Sequence, residues 1–353
     1  MWNNPPPAIP FSGSNVHRVL YAVGLLIALL IVVGVALPRH ARFVVSETMN
    51  APAATVFAQL NDLRRTQLWS DVASTDPNAD VTFSGPARGT GATVTWNGAI
   101  AGSGTQTIVE SRPHEYLETL INGGEPGESR TGFVLVPEPG ATRVEWSFEH
   151  DYGYNLVGRY VGAVVTGIIR RDYTERLAAL RELAESLPSA DFGRLAIERV
   201  MVEPQRIAYK TVQSAPDAAS ISEALGGAYF DVLAFMDAQG LRQVGAPVAI
   251  ARRFDGAQLR FDAGIPFAGD VGGADNPAAG VNVGLTPGGP SLRVRHVGPY
   301  RGLAETHRQI AAYLAALGIE RNGNSWESYV SDPTEVPQSD LVTYVYYPVR
   351  DEP

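Results

Sequence analysis

Cysteine is absent from the 353-residue chain. Its absence excludes disulfide bonds, thiolate nucleophiles and zinc sites built on cysteine. Lysine is almost absent too, since Lys210 is the sole lysine among 28 basic residues. The six histidines are scattered and form no short metal-binding spacing such as HExxH. We therefore predict no metal site and no cofactor.

A basic stripe is missing as well. The formal net charge is -9 at pH 7, whereas a nucleic-acid backbone attracts clustered basic residues. We therefore expect no nucleic acid as a partner. Apolar residues make up 45% of the chain and charged residues 18%, which is typical of folded domains. Because 353 residues exceed the usual size of one domain, two domains are expected. The oligomeric state stays open.

One long apolar run stands near the amino terminus. Residues 19–37 contain no charged side chain. As a helix they would be about 28 Å long, close to the thickness of the bilayer hydrocarbon. Arg18 precedes the run, and Arg39 and Arg42 follow it. We predict a transmembrane helix that makes the chain a single-pass membrane protein.

Two alternatives to this membrane helix stay open, a buried core helix and a cleaved signal peptide. A signal peptide usually has a shorter apolar region of about 7–15 residues and an Ala-x-Ala-like cleavage site. Residues 1–18, rich in Pro, Asn and Ser, are predicted to form a disordered tail. The flanking arginines give only a weak bias in orientation, so the side of the membrane that holds the soluble domains stays open.

Residues 42–187 are predicted to form the first soluble domain. The strand-like runs cover residues 42–48, 81–84, 90–97, 105–111, 116–121, 131–136 and 142–148. Short turns join them, which favours antiparallel pairing. An apolar helical pattern from about residue 155 to 186 closes the domain. We expect a sheet that grips this helix, with a cavity between the two that suits an apolar ligand.

This segment resembles the START-like superfamily of polyketide cyclases and lipid-binding proteins. The residues that carry the resemblance are 49–52 (MNAP), 56–57 (VF), 68–70 (LWS), 89–91 (GTG), 96–98 (WNG) and 102–104 (GSG). The resemblance implies the helix-grip fold, and it leaves the chemistry open because that fold hosts many functions.

Few residues of the first domain suggest catalysis. Glu149, His150 and Asp151 form its one polar cluster, and strand alternation should point His150 away from the two carboxylates. We interpret the cluster as a polar strand end, so the catalytic residues are unknown. The tryptophans at positions 69, 96 and 146 are expected in the core or the pocket lining.

Residues 194–350 are predicted to form the second soluble domain, after a linker at 188–193. The order strand–helix–strand–strand occurs twice, which predicts a pseudo-twofold duplicated βαββ domain with a groove between the halves. Strands are predicted at 197–202 and 206–212, followed by a helix at 220–239 and strands at 248–253 and 259–263. The second half has a strand at 291–297, a helix at 302–317 and strands near 326–330 and 341–347. Residues 268–280 are predicted to form a flexible loop.

The second domain resembles the GyrI-like family, the effector-binding domain of some bacterial multidrug-responsive transcription activators. The supporting residues are 245–247 (GAP), 263–266 (AGIP), 296–300 (HVGPY), 326–329 (WESY), 332–333 (DP) and 346–349 (YYPV). The resemblance implies a small-molecule pocket, and for the whole chain a bacterial inner membrane. DNA binding is not carried over, because a membrane helix and a START-like domain stand in the place of the helix-turn-helix region.

Resemblance to the GyrI-like family places a pocket glutamate at Glu327. On an extended segment Tyr329 lies on the same face as Glu327. On the last predicted strand Tyr344 and Tyr346 likewise share one face. A carboxylate among aromatic rings suits an organic cation, because the charge pairs with the ligand and the rings add cation–π contact. Tyr300 is expected to line the groove or to cap a turn. The predicted ligand-binding residues are Glu327, Tyr329, Tyr300, Trp326, Tyr344 and Tyr346.

The sequence therefore predicts an α+β chain with one transmembrane helix, a helix-grip domain and a duplicated βαββ domain. The expected function is binding or sensing of apolar or cationic amphiphilic ligands at a membrane. Two alternatives stay open. Glu327 could activate water in a hydrolase that acts on electrophilic small molecules, as some GyrI-like proteins do. The START-like cavity could bind or transfer lipid.

Overall fold

The structure is a computed structural model, and it describes residues 13–70, 76–123, 128–254, 256–271 and 280–350. Residues 1–12 of the predicted tail and residues 272–279 of the predicted loop lie outside this description. Contacts divide the chain into two compact units that separate between Glu185 and Ser186. Both units are built on antiparallel sheets, so the predicted α+β class is confirmed.

The first element is the apolar helix α1 (Gly13–Ala36). It begins before residue 19, within the segment predicted as a tail. Its stretch His17–Ala36 is long and apolar enough to cross a membrane. The side chains of residues 17–33 are exposed, and Leu25 is 73% exposed. A core helix of a soluble protein would bury such residues, so that alternative does not fit.

After α1, the residues of the first unit that the structure describes form seven strands and three helices. They are β1 (His40–Met49), α2 (Ala53–Leu60), α3 (Leu63–Thr66), β2 (Asp80–Ser84), β3 (Thr93–Gly98), β4 (Gly102–Arg112), β5 (Tyr116–Asn122), β6 (Ser129–Glu138), β7 (Ala141–Asp151) and α4 (Leu156–Ser186). The strands form one antiparallel sheet in the order β1-β7-β6-β5-β4-β3-β2. Along β7 every second residue is buried, because one face of the sheet packs against the core.

The core of this unit lies between the sheet and the carboxyl-terminal half of α4. Tyr173, Leu177 and Leu180 are buried on that half. The rings of Trp146 and Tyr173 stack with centroids 3.9 Å apart, and Phe133 stacks on Trp146 at 4.8 Å. Stacked rings thus occupy the region where the sequence predicts a cavity for an apolar ligand.

The amino-terminal half of α4 differs from the prediction. The apolar pattern predicts one face that grips the sheet along the whole helix, yet Val157, Val164 and Ile168 are exposed. Two glycines of this half, Gly158 and Gly162, are buried, and a Cβ at Gly162 would lie 2.4 Å from the Tyr152 ring. These glycines therefore allow close packing of the chain that leads into the helix.

The polar cluster at the end of β7 follows strand alternation. His150 is buried, and its Nδ1 lies 2.8 Å from the Ser129 Oγ. On the opposite face Glu149 accepts from Arg42 and Asp151 accepts from Arg39. The carboxylates are thus held in ion pairs away from the histidine, in keeping with their interpretation as a polar strand end.

We expect the first unit to lose stability at high pH because of Tyr173. Burial raises the pKa of this phenol to about 12, whereas an unfolded tyrosine titrates near 10. Between these values the unfolded chain loses the proton and the folded chain keeps it. Stability is therefore complete below pH 10 and falls as the pH rises toward 12, by about 2–3 kcal/mol in total.

Chemical denaturation across this pH range tests the expectation. A Tyr173→Phe variant should show a flatter dependence of the free energy of unfolding on pH, and Tyr154→Phe, which removes an exposed phenol of the same unit, is the matched control. An unchanged slope in Tyr173→Phe would assign the effect to other groups.

The described residues of the second unit form nine strands and two long helices. They are β8 (Ile197–Val202), β9 (Arg206–Ser214), α5 (Ala218–Ala238), β10 (Arg242–Gln243), β11 (Val248–Phe254), β12 (Leu259–Ala268), β13 (Val281–Leu285), β14 (Gly289–Val297), α6 (Leu303–Leu317), β15 (Trp326–Tyr329) and β16 (Val342–Pro348). Asp217 caps α5 by accepting from the Ser220 N–H at 2.9 Å. Gly318 ends α6 in the left-handed conformation that glycine favours.

The sheet of this unit has the order β13-β9-β12-β11-β15-β16-β14-β8, with β10 paired to β12. In the first half, β9, β12 and β11 lie side by side from the outside to the centre of the sheet, and β14, β16 and β15 follow the same order in the second half. The predicted pseudo-twofold duplication is therefore confirmed. Strand β13 falls just beyond the predicted loop and adds an edge to the first half. The register places Ile265, Ala249, Glu327 and Val345 on one face, which α5 and α6 cover.

Candidate ligand-binding site

A cavity of about 1270 Å³ lies between α5 and α6, above the middle of the second sheet. The central strands β11 and β15 form its floor and contribute Ala249, Ala251 and Glu327. Tyr229 reaches it from α5, and His307 from α6. Because β11 and β15 pair across the pseudo-twofold axis, the cavity occupies the groove that the duplication predicts.

Glu327 is the central acidic group of this cavity. Its side chain is 19% exposed. One carboxylate oxygen accepts from the Tyr329 hydroxyl at 2.5 Å, and the other lies 2.7 Å from the His307 Nε2. An ionised carboxylate only accepts hydrogen bonds, so the proton must reside on the His307 Nε2. Two donors therefore fix the orientation of the charge.

His307 extends this network to the last strand. Its Nδ1 lies 2.7 Å from the Tyr347 hydroxyl, which donates to it when the imidazole is neutral. Sequence reasoning missed both residues. A signal for His307 was present, because it lies four residues after the buried Leu303 and three before the buried Ile310, on the apolar face of α6.

The phenols around Glu327 keep their protons. Burial raises the pKa of Tyr329 and Tyr229 well above the usual range, and the negative charge of Glu327 raises both further. Burial also raises the pKa of Tyr347 and of Tyr300, the latter with help from Asp332 and Glu327. Protonated hydroxyls stabilise a carboxylate by donating to it.

Four of the predicted residues contribute to the cavity wall, namely Glu327, Tyr329, Tyr300 and Trp326. Tyr300 begins a short 3₁₀ turn before α6, and its ring meets that of Tyr329 edge-on at 5.3 Å. It therefore both lines the groove and belongs to a turn. Trp326 follows the alternation of β15, so its indole lies on the face opposite to Glu327 and stacks on Tyr346 at 4.5 Å.

The prediction for the last strand needs a correction. Tyr344 and Tyr346 are not among the residues that line the cavity, and Tyr347 of the same strand is. The pairing of Trp326 with Tyr346 and of Glu327 with Val345 explains the difference. Tyr344 and Tyr346 share the face of Trp326, while Val345 and Tyr347 share the face of Glu327.

The charge of the cavity is negative when His307 is neutral. Its lining includes the carboxylates of Glu327 and Asp332 and one guanidinium, that of Arg301. Arg301 and Asp332 are exposed, whereas Glu327 lies at the partly buried floor. In the part of the chain that the structure describes, no arginine or lysine forms an ion pair with Glu327. A cation that enters the cavity would meet this charge.

Several solved structures are similar to part of the chain. The C-terminal domain of EcmrR is 14% identical, and the match covers 45% of this chain and 99% of the EcmrR domain, with a TM-score of 0.39. A Chromobacterium violaceum protein is 16% identical, and the match covers 41% of this chain and 97% of that protein's chain, with a TM-score of 0.32. A hydrolase from Listeria innocua is 17% identical, and the match covers 44% of this chain and 91% of the hydrolase chain, with a TM-score of 0.32. At these values the similarity carries no functional argument.

Two family models match the chain, and no curated protein does. Residues 40–185 match the model for polyketide cyclase, dehydrase and lipid transport. Residues 196–350 match the model for the GyrI-like small molecule binding domain. The chain thus joins a domain of the polyketide cyclase and lipid-transport family to a GyrI-like small-molecule-binding domain.

Proposed function

We propose that the GyrI-like domain binds a bulky, lipophilic organic cation between α5 and α6. The observation that carries the proposal is the Glu327 carboxylate, which accepts from the Tyr329 hydroxyl, lies 2.7 Å from the His307 Nε2 and forms no ion pair with an arginine or lysine of the described residues. A partly buried charge is costly unless it is paired. A ligand cation would supply a permanent opposite charge.

The shape and the walls of the cavity support the same ligand class. Its volume of about 1270 Å³ exceeds the range of common small-molecule pockets. The aromatic rings of Tyr229, Tyr300 and Tyr329 surround the carboxylate. Such rings attract cations through their faces and also bury apolar substituents. A cation with large apolar groups uses both properties.

Equilibrium binding to the full chain tests the proposal with a pair of probes that differ in charge. Methyltriphenylphosphonium and triphenylphosphine oxide have similar size and rings, but only the first is a cation. We expect the cation to bind at least about tenfold more tightly, which corresponds to about 1.4 kcal/mol. Equal affinities would contradict the proposed role of the charge.

We propose further that α1 is a retained membrane anchor. Its carboxyl-terminal end packs against the first domain, where Gly34 is buried beneath Tyr160 and Leu156. Arg159 also donates to backbone carbonyls of this end. A cleaved signal sequence would be removed from the folded domain, and these contacts would be lost with it. The contacts therefore favour the anchor over the signal sequence.

An amino-terminal tag distinguishes the two cases. We expect the tag to stay on the mature chain, and the chain to stay with membranes at pH 11 and to dissolve in detergent. A Leu29→Arg variant should insert less well, because a charged residue at the centre of a span costs about 2.5–3.5 kcal/mol. Loss of the tag from a soluble mature chain would contradict the anchor.

Sensing and hydrolysis stay predictions about the same cavity. Glu327 with His307 beside it has the residue types of a general base, which favours hydrolysis as a second candidate. Lipid binding in the first domain has less support, because Trp146, Phe133 and Tyr173 fill the region between its sheet and α4.

A further inference from the structure

The amino-terminal half of α4 carries an exposed apolar stripe. It consists of Val157, Val161, Val164 and Ile168, which are 73, 47, 74 and 67% exposed. Their spacing of four, three and four residues places them on one helix face. From residue 156 to 169 Arg159 is the sole charged residue. A helix face in contact with water ordinarily carries polar residues, so this stripe requires an apolar partner.

The contacts between α4 and α1 indicate where that partner lies. The Arg159 Nη1 donates to three backbone carbonyls at the carboxyl end of α1. They belong to Gly34, Val35 and Leu37, at 3.4, 3.2 and 3.4 Å. Carbonyls at a helix end lack intrahelical donors, and in lipid they must find others. Arg159 supplies these donors and so ties the first turn of α4 to the end of α1.

Tyr160, in the same first turn of α4, contacts α1 farther from its carboxyl end. Its hydroxyl donates to the Leu30 carbonyl at 2.6 Å. Leu30 lies six residues before the last residue of α1, which is about 9 Å along the helix axis. At the crossing a Cβ on Gly34 would lie 3.1 Å from the Tyr160 ring and 3.3 Å from the Leu156 Cβ. Small residues at helix crossings are typical of packing inside membranes.

We propose that the stripe of α4 inserts into the lipid bilayer beside α1, with acyl chains as its apolar partner. The inference rests on the proposed anchor, because α1 sets the depth at which α4 begins. Arg170 and Arg171 follow the stripe directly and are both exposed. They lie where a helix that leaves the lipid would meet phosphate headgroups, and basic residues are favoured at that position. The first domain would therefore contact the membrane through two helices.

Site-specific fluorescence quenching tests this contact. Because the natural chain has no cysteine, a single introduced cysteine is a unique labelling site. The full chain would carry Val164→Cys with an environment-sensitive dye, in vesicles of phosphatidylcholine and phosphatidylglycerol. Leu26→Cys in α1 is the reference for lipid exposure. Thr174→Cys, on the exposed surface of α4 beyond the arginines, is the reference for water exposure.

We expect nitroxide-labelled lipid to quench the dye at Val164→Cys as it does at Leu26→Cys, and iodide to quench it at least threefold less than at Thr174→Cys. If iodide reaches Val164→Cys while Leu26→Cys stays in lipid, the anchor stands and the inference falls. If neither quencher reaches Val164→Cys, a protein surface covers the stripe and the inference also falls. If iodide reaches Leu26→Cys, the anchor itself fails, and the inference with it.

Discussion

Replacing Glu327 with glutamine is expected to weaken the binding of methyltriphenylphosphonium to the full chain by about 30- to 100-fold. Glutamine keeps the size of the side chain and removes its charge. Loss of one partner of a desolvated charge pair costs at least about 2–3 kcal/mol, which gives this change in affinity. Isothermal titration of the purified protein in detergent measures the effect directly.

Two comparisons separate the charge effect from damage to the cavity. Asp332→Asn removes the same charge from an exposed position of the lining, so it should weaken cation binding less than about threefold, as expected for a solvent-screened charge. Binding of triphenylphosphine oxide should be nearly unchanged in Glu327→Gln. An equal loss for both probes would mean that the substitution distorts the site, and no loss for the cation would remove Glu327 from the proposed mechanism.

Replacing Trp146 with alanine is expected to lower the free energy of unfolding of the first domain by about 3–5 kcal/mol. The indole is 5% exposed and stacks on both Tyr173 and Phe133. Its Nε1 also donates to the Thr131 Oγ1, which would lose this partner. Removal of the ring leaves a cavity in the middle of the core, and neighbouring rings can fill it only in part.

Hydrogen exchange of the full chain, followed by mass spectrometry, measures this effect domain by domain, because the two domains need not unfold together. Peptides of β6 and β7 should lose protection in Trp146→Ala, and peptides of the second domain should not. Tyr154→Ala is the control, since Tyr154 is 92% exposed and its loss should cost less than about 0.5 kcal/mol. A change below about 1 kcal/mol in Trp146→Ala would indicate loose packing there and would revive the lipid-binding alternative.

Much of the fold was predictable because its signals are local. The strand predicted at 142–148 occurs as β7 (Ala141–Asp151), and the helix predicted at 220–239 occurs as α5 (Ala218–Ala238). Alternation, helical periodicity and turn residues act over a few neighbours, so they can be read from the chain directly. Strand β13 was missed because it is short and stands beside a segment rich in glycine and alanine.

The site was predictable only in part. The resemblance to the GyrI-like family indicated Glu327, and strand alternation then placed Tyr329 on the same face. His307 comes from α6, and Tyr347 comes from β16. Both meet the carboxylate only through the packing of the helix on the sheet. No spacing in the sequence relates these elements, so their meeting is not visible in it.

The sequence by itself determined the apolar amino-terminal helix, the order of the two domains and the duplication within the second one. Tertiary structure decided which face of each element is inward. Alternation divides β16 into two faces, but only its pairing with β15 makes Tyr347 rather than Tyr344 and Tyr346 the face of Glu327. Likewise, periodicity gives α4 an apolar side, but only the packing of the unit decides which part of that side is buried. Both outcomes depend on contacts between distant segments, which no local pattern contains.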